Sequence, residues 1–309
     1  MSNTPCRKPS AEYSPFDPGA NEVYVAWRQH KLAAWPSNSA EVMTDIADSR
    51  APRTREIESI RMALARTNIA FYRLKSGLPG DKAMVRTLAH KLGLERLDSN
   101  LCADGDGITS LTVVEERQEG EYIPYTNRPL NWHTDGYYNS LDRQIRGVIL
   151  HCAKPAVEGG ENAFLDHEMA YIQLRDQNPE FIRALMAPDA MTIPPNVQKG
   201  REIRPEQTGP VFSVDPQGNL HMRYSARARN IEWKADSTTQ AAAECLLNLF
   251  QQDSPYIFRH RLEAGEGVIS NNALHCRSGF SHEAGVTSRL LYRARYFDRI
   301  AETEIGSGN

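Results

Sequence analysis

The chain has 309 residues, of which 40% are hydrophobic and 24% charged, with a net charge of −3. That balance fits a soluble globular protein, and without a lysine-rich block or basic tail it offers nucleic acid no electrostatic footprint. The polar start from Met1 to Pro18 lacks a signal-like apolar core and no apolar run is long enough for a bilayer. The five scattered cysteines form no Cys-x-x-Cys pair, so no membrane association and a cytoplasmic setting are expected.

Residues 1–20 read as a loose arm, and residues 21–309 as one domain with a helical part over about 21–100 and a β-rich core over about 101–300. From Glu22 to Thr67 the pattern is helical, with Ile57, Ile60 and Leu64 on one face. Phe71 to Leu74 reads as a short strand. Asp81 caps a helix carrying Val85, Leu88, Ala89 and Leu92, and Gly93 stands where it should stop.

Short β-rich runs follow at Leu111–Val114, Val148–Leu150 and Val211–Val214, with Asp215 to Asn219 as the turn of a hairpin. Two helical insertions interrupt them. One spans about His167 to Met186 and restarts at Asn178-Pro179; the other opens on Ser237-Thr238-Thr239-Gln240, read as a capping box. The last strands are Gly267–Ile269 and Leu290–Phe297. The expected class is α+β, with a β-sandwich or jelly-roll core carrying the site.

The chemistry concentrates in Asn131-Trp132-His133-Thr134-Asp135 and, far downstream, His275. A His and an Asp two positions apart on an extended strand share a face. With a second, distant His they make the two-His-one-carboxylate set that suits non-haem Fe(II). Trp132 before and Gly136-Tyr137-Tyr138 after are expected to wall a pocket with aromatic rings. A keto acid chelating such a metal needs its far carboxylate fixed, and a guanidinium does so bidentately. Arg289, one strand beyond His275, is the candidate. Arg293 and Arg295 lie further along that strand, Arg295 expected on a solvated face.

Asn131 to Asp135 resembles the metal-ligand strand of the taurine dioxygenase family. Leu274-His275-Cys276-Arg277-Ser278-Gly279-Phe280, with its arginine fourteen positions past the histidine, is similar to the clavaminate-synthase-like branch of that superfamily. The likeness covers roughly residues 110–297. It implies a double-stranded β-helix fold and a requirement for Fe(II), 2-oxoglutarate and O2. His133, Asp135 and His275 would hold iron, and Arg289 would pair with the distal carboxylate of 2-oxoglutarate. Where the family often has threonine after a Gly-Gly-acid run, Asn162 follows Gly159-Gly160-Glu161 and would donate from its amide. Before the second histidine a common Trp-Asp-Asn pattern is replaced by Ile269-Ser270-Asn271.

The reading is therefore a dioxygenase that hydroxylates a small anionic or amino-acid-like molecule and releases succinate and CO2. Arg293, Arg223, Tyr137, Tyr138 and Arg277 are the candidate substrate contacts. Asp135 favours hydroxylation over halogenation, because related halogenases lack the carboxylate ligand. Desaturation and ring closure use the same centre, and a non-catalytic metal- or 2-oxoglutarate-sensing module uses the same frame. A zinc hydrolase is disfavoured by the lack of a His-Glu-x-x-His helix. The remaining histidines, His221 among them, read as structural. The N-terminal helices either cover the core or make the contact of a homo-oligomer.

Overall fold

The computed structural model describes residues 14–75, 79–99, 104–113, 123–227, 231–281 and 289–304. Most of the N-terminal arm and Val114 lie outside these.

The stretch read as helical from Glu22 to Thr67 divides into helix α1 (Asn21–Ala33), strand β1 (Met43–Ile46) and helix α2 (Thr54–Thr67). The intervening strand is too short to announce itself, and it owes its existence to parallel pairing with β2 (Ile69–Leu74). Helix α3 (Lys82–Lys91) begins as expected, the Asp81 carboxylate accepting from the Met84 N–H.

Then follow β3 (Thr109–Leu111), β4 (Leu130–His133), β5 (Gly147–Lys154) and β6 (Asn162–Leu165). Helices α4 (His167–Gln177) and α5 (Pro179–Leu185) meet at Asn178, which caps the second with Pro179 at its first position. Short strands β7 (Met191–Ile193), β8 (Asn196–Gln198), β9 (Arg201–Arg204) and β10 (Gln207–Gly209) lead to the expected hairpin of β11 (Phe212–Val214) and β12 (Leu220–Met222). After β13 (Glu232–Trp233), helix α6 (Ser237–Leu249) starts one residue earlier than read: Asp236 is the cap, accepting from the N–H groups of Thr238 and Thr239. Strands β14 (Ile257–His260), β15 (Glu266–Ser270), β16 (Leu274–Arg277) and β17 (Leu290–Tyr296) complete the chain.

Two sheets carry the core of this α+β protein. The larger has the order β1-β2-β15-β5-β17-β3, the smaller β14-β6-β16-β4. Phe164 and Phe258 of the smaller sheet pack with Phe71, Ile149, Val268 and Leu291 of the larger in one apolar cluster, to which α2 and α3 add Ile57, Leu64, Val85 and Leu88. Helices thus cover the back of the large sheet, and its central strands β2, β15 and β5 are buried along most of their length. A second cluster joins α4, α5 and α6 to the far side of the smaller sheet, where Trp132 stacks on Phe250 at 5.0 Å. Trp132 therefore packs away from its neighbour His133 rather than walling a pocket, as strand alternation requires. Among the described residues no helix is long and apolar enough to cross a membrane.

Candidate metal centre

His133 ends β4 and His275 lies directly opposite it on β16, their ring centroids 4.3 Å apart. Asp135 follows just past the strand. Each of the three offers a ligand-capable atom, all within 4.8 Å of one another, and all three side chains are buried. Each imidazole donates Nδ1–H to a carbonyl two residues before it, His133 to Asn131 at 2.8 Å and His275 to Ala273 at 3.1 Å. That fixes the tautomer, leaving the lone pair on Nε2 of both rings. Burial lowers both imidazole pKa values, that of His133 to about 3, with His275 beside it adding to the effect. Both rings are therefore neutral ligands at ordinary pH.

Asp135 is held from one side. Its Oδ1 accepts from Arg293 Nη1 at 3.0 Å, and Arg295 Nη1 lies 3.8 Å from the same oxygen. Burial alone would raise its pKa, but the two guanidiniums overrule it and hold the carboxyl well below its usual range. Oδ2 is buried with no hydrogen-bond partner. A buried carboxylate oxygen normally finds a donor, and this one is ionised. An orphaned oxygen beside two imidazole lone pairs is what a divalent cation satisfies, so the residues present fit Fe(II).

Asp135 does not continue the strand as expected. Thr134 is tied to Tyr224, its N–H reaching the Tyr224 carbonyl at 3.0 Å, and Asp135 then enters a turn at Gly136. Gly136 has φ +65°, and an added Cβ would meet Ile145 at 2.5 Å, so only glycine fits.

A second group lies two residues along the same strands. In the β6–β16 pairing Phe164 faces His275 and Asn162 faces Arg277. One pleat repeat, roughly 6–7 Å, separates the two pairs on one face. Arg277 and Arg289 both lie against the Phe280 ring, at 4.8 and 5.1 Å. Gly159 makes this possible: its φ is +72° and an added Cβ would lie 2.3 Å from the Gly279 carbonyl oxygen. Arg277 donates to the carbonyls of Thr126 and Arg128, whereas buried Arg289 meets no carboxylate among the described residues. Burial lowers the pKa of Arg289 to about 10 and that of Arg277 to about 9, the latter also through Arg289.

The other candidates separate clearly. Arg223 is not directed at a ligand: its guanidinium donates to the carbonyls of Gln207, Gly209, Pro210 and Met191, fastening β7 and β10. Tyr137 and Tyr138 are half-buried and in edge contact at 5.1 Å. Arg295, expected on a solvated face, is buried, and its guanidinium donates to Asp98 and, at 3.0 Å, to the Tyr138 hydroxyl. Asp98, Tyr138 and the turn at Asp135 cover that face. Sequence reasoning missed Asn272, whose carboxamide bonds Asp135. Its only trace in the sequence is an asparagine in the turn before His275.

The family described as "Taurine catabolism dioxygenase TauD, TfdA family" matches residues 36–295, and the chain belongs to that family. Fe(II), 2-oxoglutarate and O2 are its cofactor and co-substrates. Among individual relatives, a uridine-5'-phosphate dioxygenase of Amycolatopsis sp is 28% identical over 174 residues, which make up 53% of this chain and 60% of that protein. One from Streptomyces sp is 27% identical over 63% of this chain and 71% of its own length. An asparagine oxygenase solved with Fe(II), 3-hydroxyasparagine and succinate superposes with a TM-score of 0.57 at 18% identity, covering 93% of this chain and 86% of that one.

Proposed function

We propose that the two sheets form the double-stranded β-helix of a 2-oxoglutarate-dependent dioxygenase that hydroxylates a C–H bond of a small anionic substrate. The observation that carries this is the buried set of two Nε2 lone pairs and the unbonded Asp135 Oδ2, one pleat repeat from the Asn162–Arg277 pair, with Arg289, which meets no carboxylate among the described residues, against the same Phe280 ring as Arg277. His133, Asp135 and His275 would hold Fe(II). With 2-oxoglutarate and O2, that metal supplies an oxidant and yields succinate and CO2.

The residues' own tasks follow from their bonds. Arg293 and Arg295 engage Oδ1, so Oδ2 is the oxygen that would be left to hold the metal. Arg289 supplies a bidentate, permanently charged fork for the distal carboxylate of 2-oxoglutarate, in an environment dry enough to make that pairing strong. Asn162 adds a neutral donor beside it. Arg277, fixed on two carbonyls, adds positive charge and keeps the Phe280 ring in place. Burial of all these groups excludes water from the reacting centre.

Tyr137 and Tyr138 are the substrate-facing candidates. Arg204 lies 5.8 Å from the Tyr138 ring and donates to the carbonyls of Pro194 and Pro205, with no carboxylate bonded to it among the described residues, so its charge is available to an anion. Uridine 5'-phosphate, on which the relatives act, is the first substrate to try, and asparagine the second.

The test is anaerobic titration of the metal-free protein with Fe(II) and then 2-oxoglutarate. A weak visible charge-transfer band that needs both and is lost in Asp135→Ala is expected; bound metal without a band would overturn the reading. Succinate release with each candidate substrate then assigns the class.

A further inference from the structure

Asp135 sits in a turn with no strand ladder to hold it, yet its peptide is among the most firmly held in the site. The Asn272 side chain does this. Its Oδ1 accepts from the Asp135 N–H at 2.8 Å, and its Nδ2 donates to the Asp135 carbonyl at 2.9 Å and to the Ile145 carbonyl at 2.7 Å. One carboxamide thus bonds both polar groups of Asp135 as a neighbouring strand would. Asn272 is 2% exposed, has φ 53°, and lies in the turn between β15 and β16, three residues before His275.

We infer that Asn272 is a positioning residue for the metal centre. The inference rests on the reading of His133, Asp135 and His275 as metal ligands. It joins two ligand-bearing segments that are 137 positions apart in sequence, fixing the Asp135 backbone against the strand that delivers His275. The Asp135 side chain has one rotatable bond between Cα and Cβ and one beyond it. With the backbone fixed by Asn272 and Oδ1 by Arg293, Oδ2 has one direction left. The left-handed backbone at Asn272 is one that asparagine and glycine adopt most readily. Asn272→Gly therefore removes the carboxamide without straining the turn.

Neighbouring Asn271 supplies the control. It is equally buried and bonds Asn68, Thr303 and the Ile300 N–H, but not Asp135.

The experiment is anaerobic titration with Co(II), a spectroscopic substitute for Fe(II), followed through its visible d–d bands. Wild type, Asn272→Gly, Asn272→Asp and Asn271→Ala are compared, with thermal unfolding run in parallel. Asn272→Gly is expected to weaken Co(II) binding by about 10- to 100-fold, as loss of a ligand-orienting partner does, and to shift the bands. Asn272→Asp retains the shape and the acceptor but loses both donors, and should show the same direction of change should the glycine variant not fold. Asn271→Ala should lower the unfolding temperature while leaving Co(II) affinity and bands unchanged. Wild-type spectra and affinity in the Asn272 variants, or an equal loss in Asn271→Ala, would overturn the inference alone. A wild-type protein that binds neither Co(II) nor Fe(II) would overturn the metal-centre reading on which it stands.

Discussion

Two buried ionic groups in this protein leave their carboxylate oxygens in different states. Around Asp135 one carboxylate meets two guanidiniums, and one of its oxygens is left unbonded. Where α1 packs on α4, one ammonium meets two carboxylates: Lys31 Nζ lies 2.6 Å from Asp166 and 2.5 Å from Glu168. Asn68 and the Glu168 N–H also donate to Asp166. Burial and the second carboxylate push the Asp166 carboxyl up, while Lys31 overrules burial at Glu168 and holds it low. At Asp166 the Lys31 ammonium lies against Oδ2, and the cluster fastens a helix. At Asp135 Oδ2 has neither a hydrogen bond nor a cation against it among the described residues, the contrast expected between a structural ion pair and a proposed metal ligand.

The comparison can be broken most decisively at the metal centre. His133→Ala and Asp135→Ala should each abolish iron-dependent succinate release while the protein remains folded by circular dichroism. Lys31→Met should do the reverse. It leaves two buried carboxylates without their cation and should cost about 3–5 kcal/mol in denaturant unfolding. Fe(II) affinity at 25 °C should stay the same; a change would mean the clusters are coupled.

Arg289→Ala sharpens the contrast within the site. Losing a charge-assisted clamp worth roughly 1.5–3 kcal/mol should raise the 2-oxoglutarate requirement by about 10- to 100-fold. An unchanged requirement would remove Arg289 from the role.

A pH dependence of the metal-free protein reads the buried groups together. Burial lowers His133 to about 3 and His151 and His167 to about 4. The unfolded chain protonates these imidazoles near pH 6.5. Between that pH and about 4 unfolding takes up protons, so stability falls as pH falls, by about 1.4 kcal/mol per pH unit per histidine. Asp166, whose carboxyl is raised, acts in the opposite sense above the ordinary carboxylate range, since there the folded chain holds a proton that the unfolded chain has released. Urea unfolding between pH 7 and 4.5 checks the slope, and a flat profile would contradict it.

His133, Asp135 and His275 stand out in the sequence because their residue types and spacing already express the chemistry. Asp81 and Asn178 stand out because a cap is a local event. Asn272 does not, since its partners are over a hundred residues away and its meaning exists only once β15 and β16 form. Arg295 misleads for a related reason: strand alternation says which residues share a face, while the burial of that face is decided by Asp98, Tyr138 and Asp135, brought from distant parts of the chain. Strand β1 is hidden because four residues beside a helix carry no period of their own.

The pairing of His275 with His133 also bears on when the protein becomes reactive. These histidines become neighbours only after a very long loop has closed, and such non-local pairings form slowly. A strand slipped by one residue would turn a histidine to the opposite face. A nascent or misregistered chain therefore cannot assemble the proposed iron-binding set, which would confine oxidative chemistry to molecules that have finished folding.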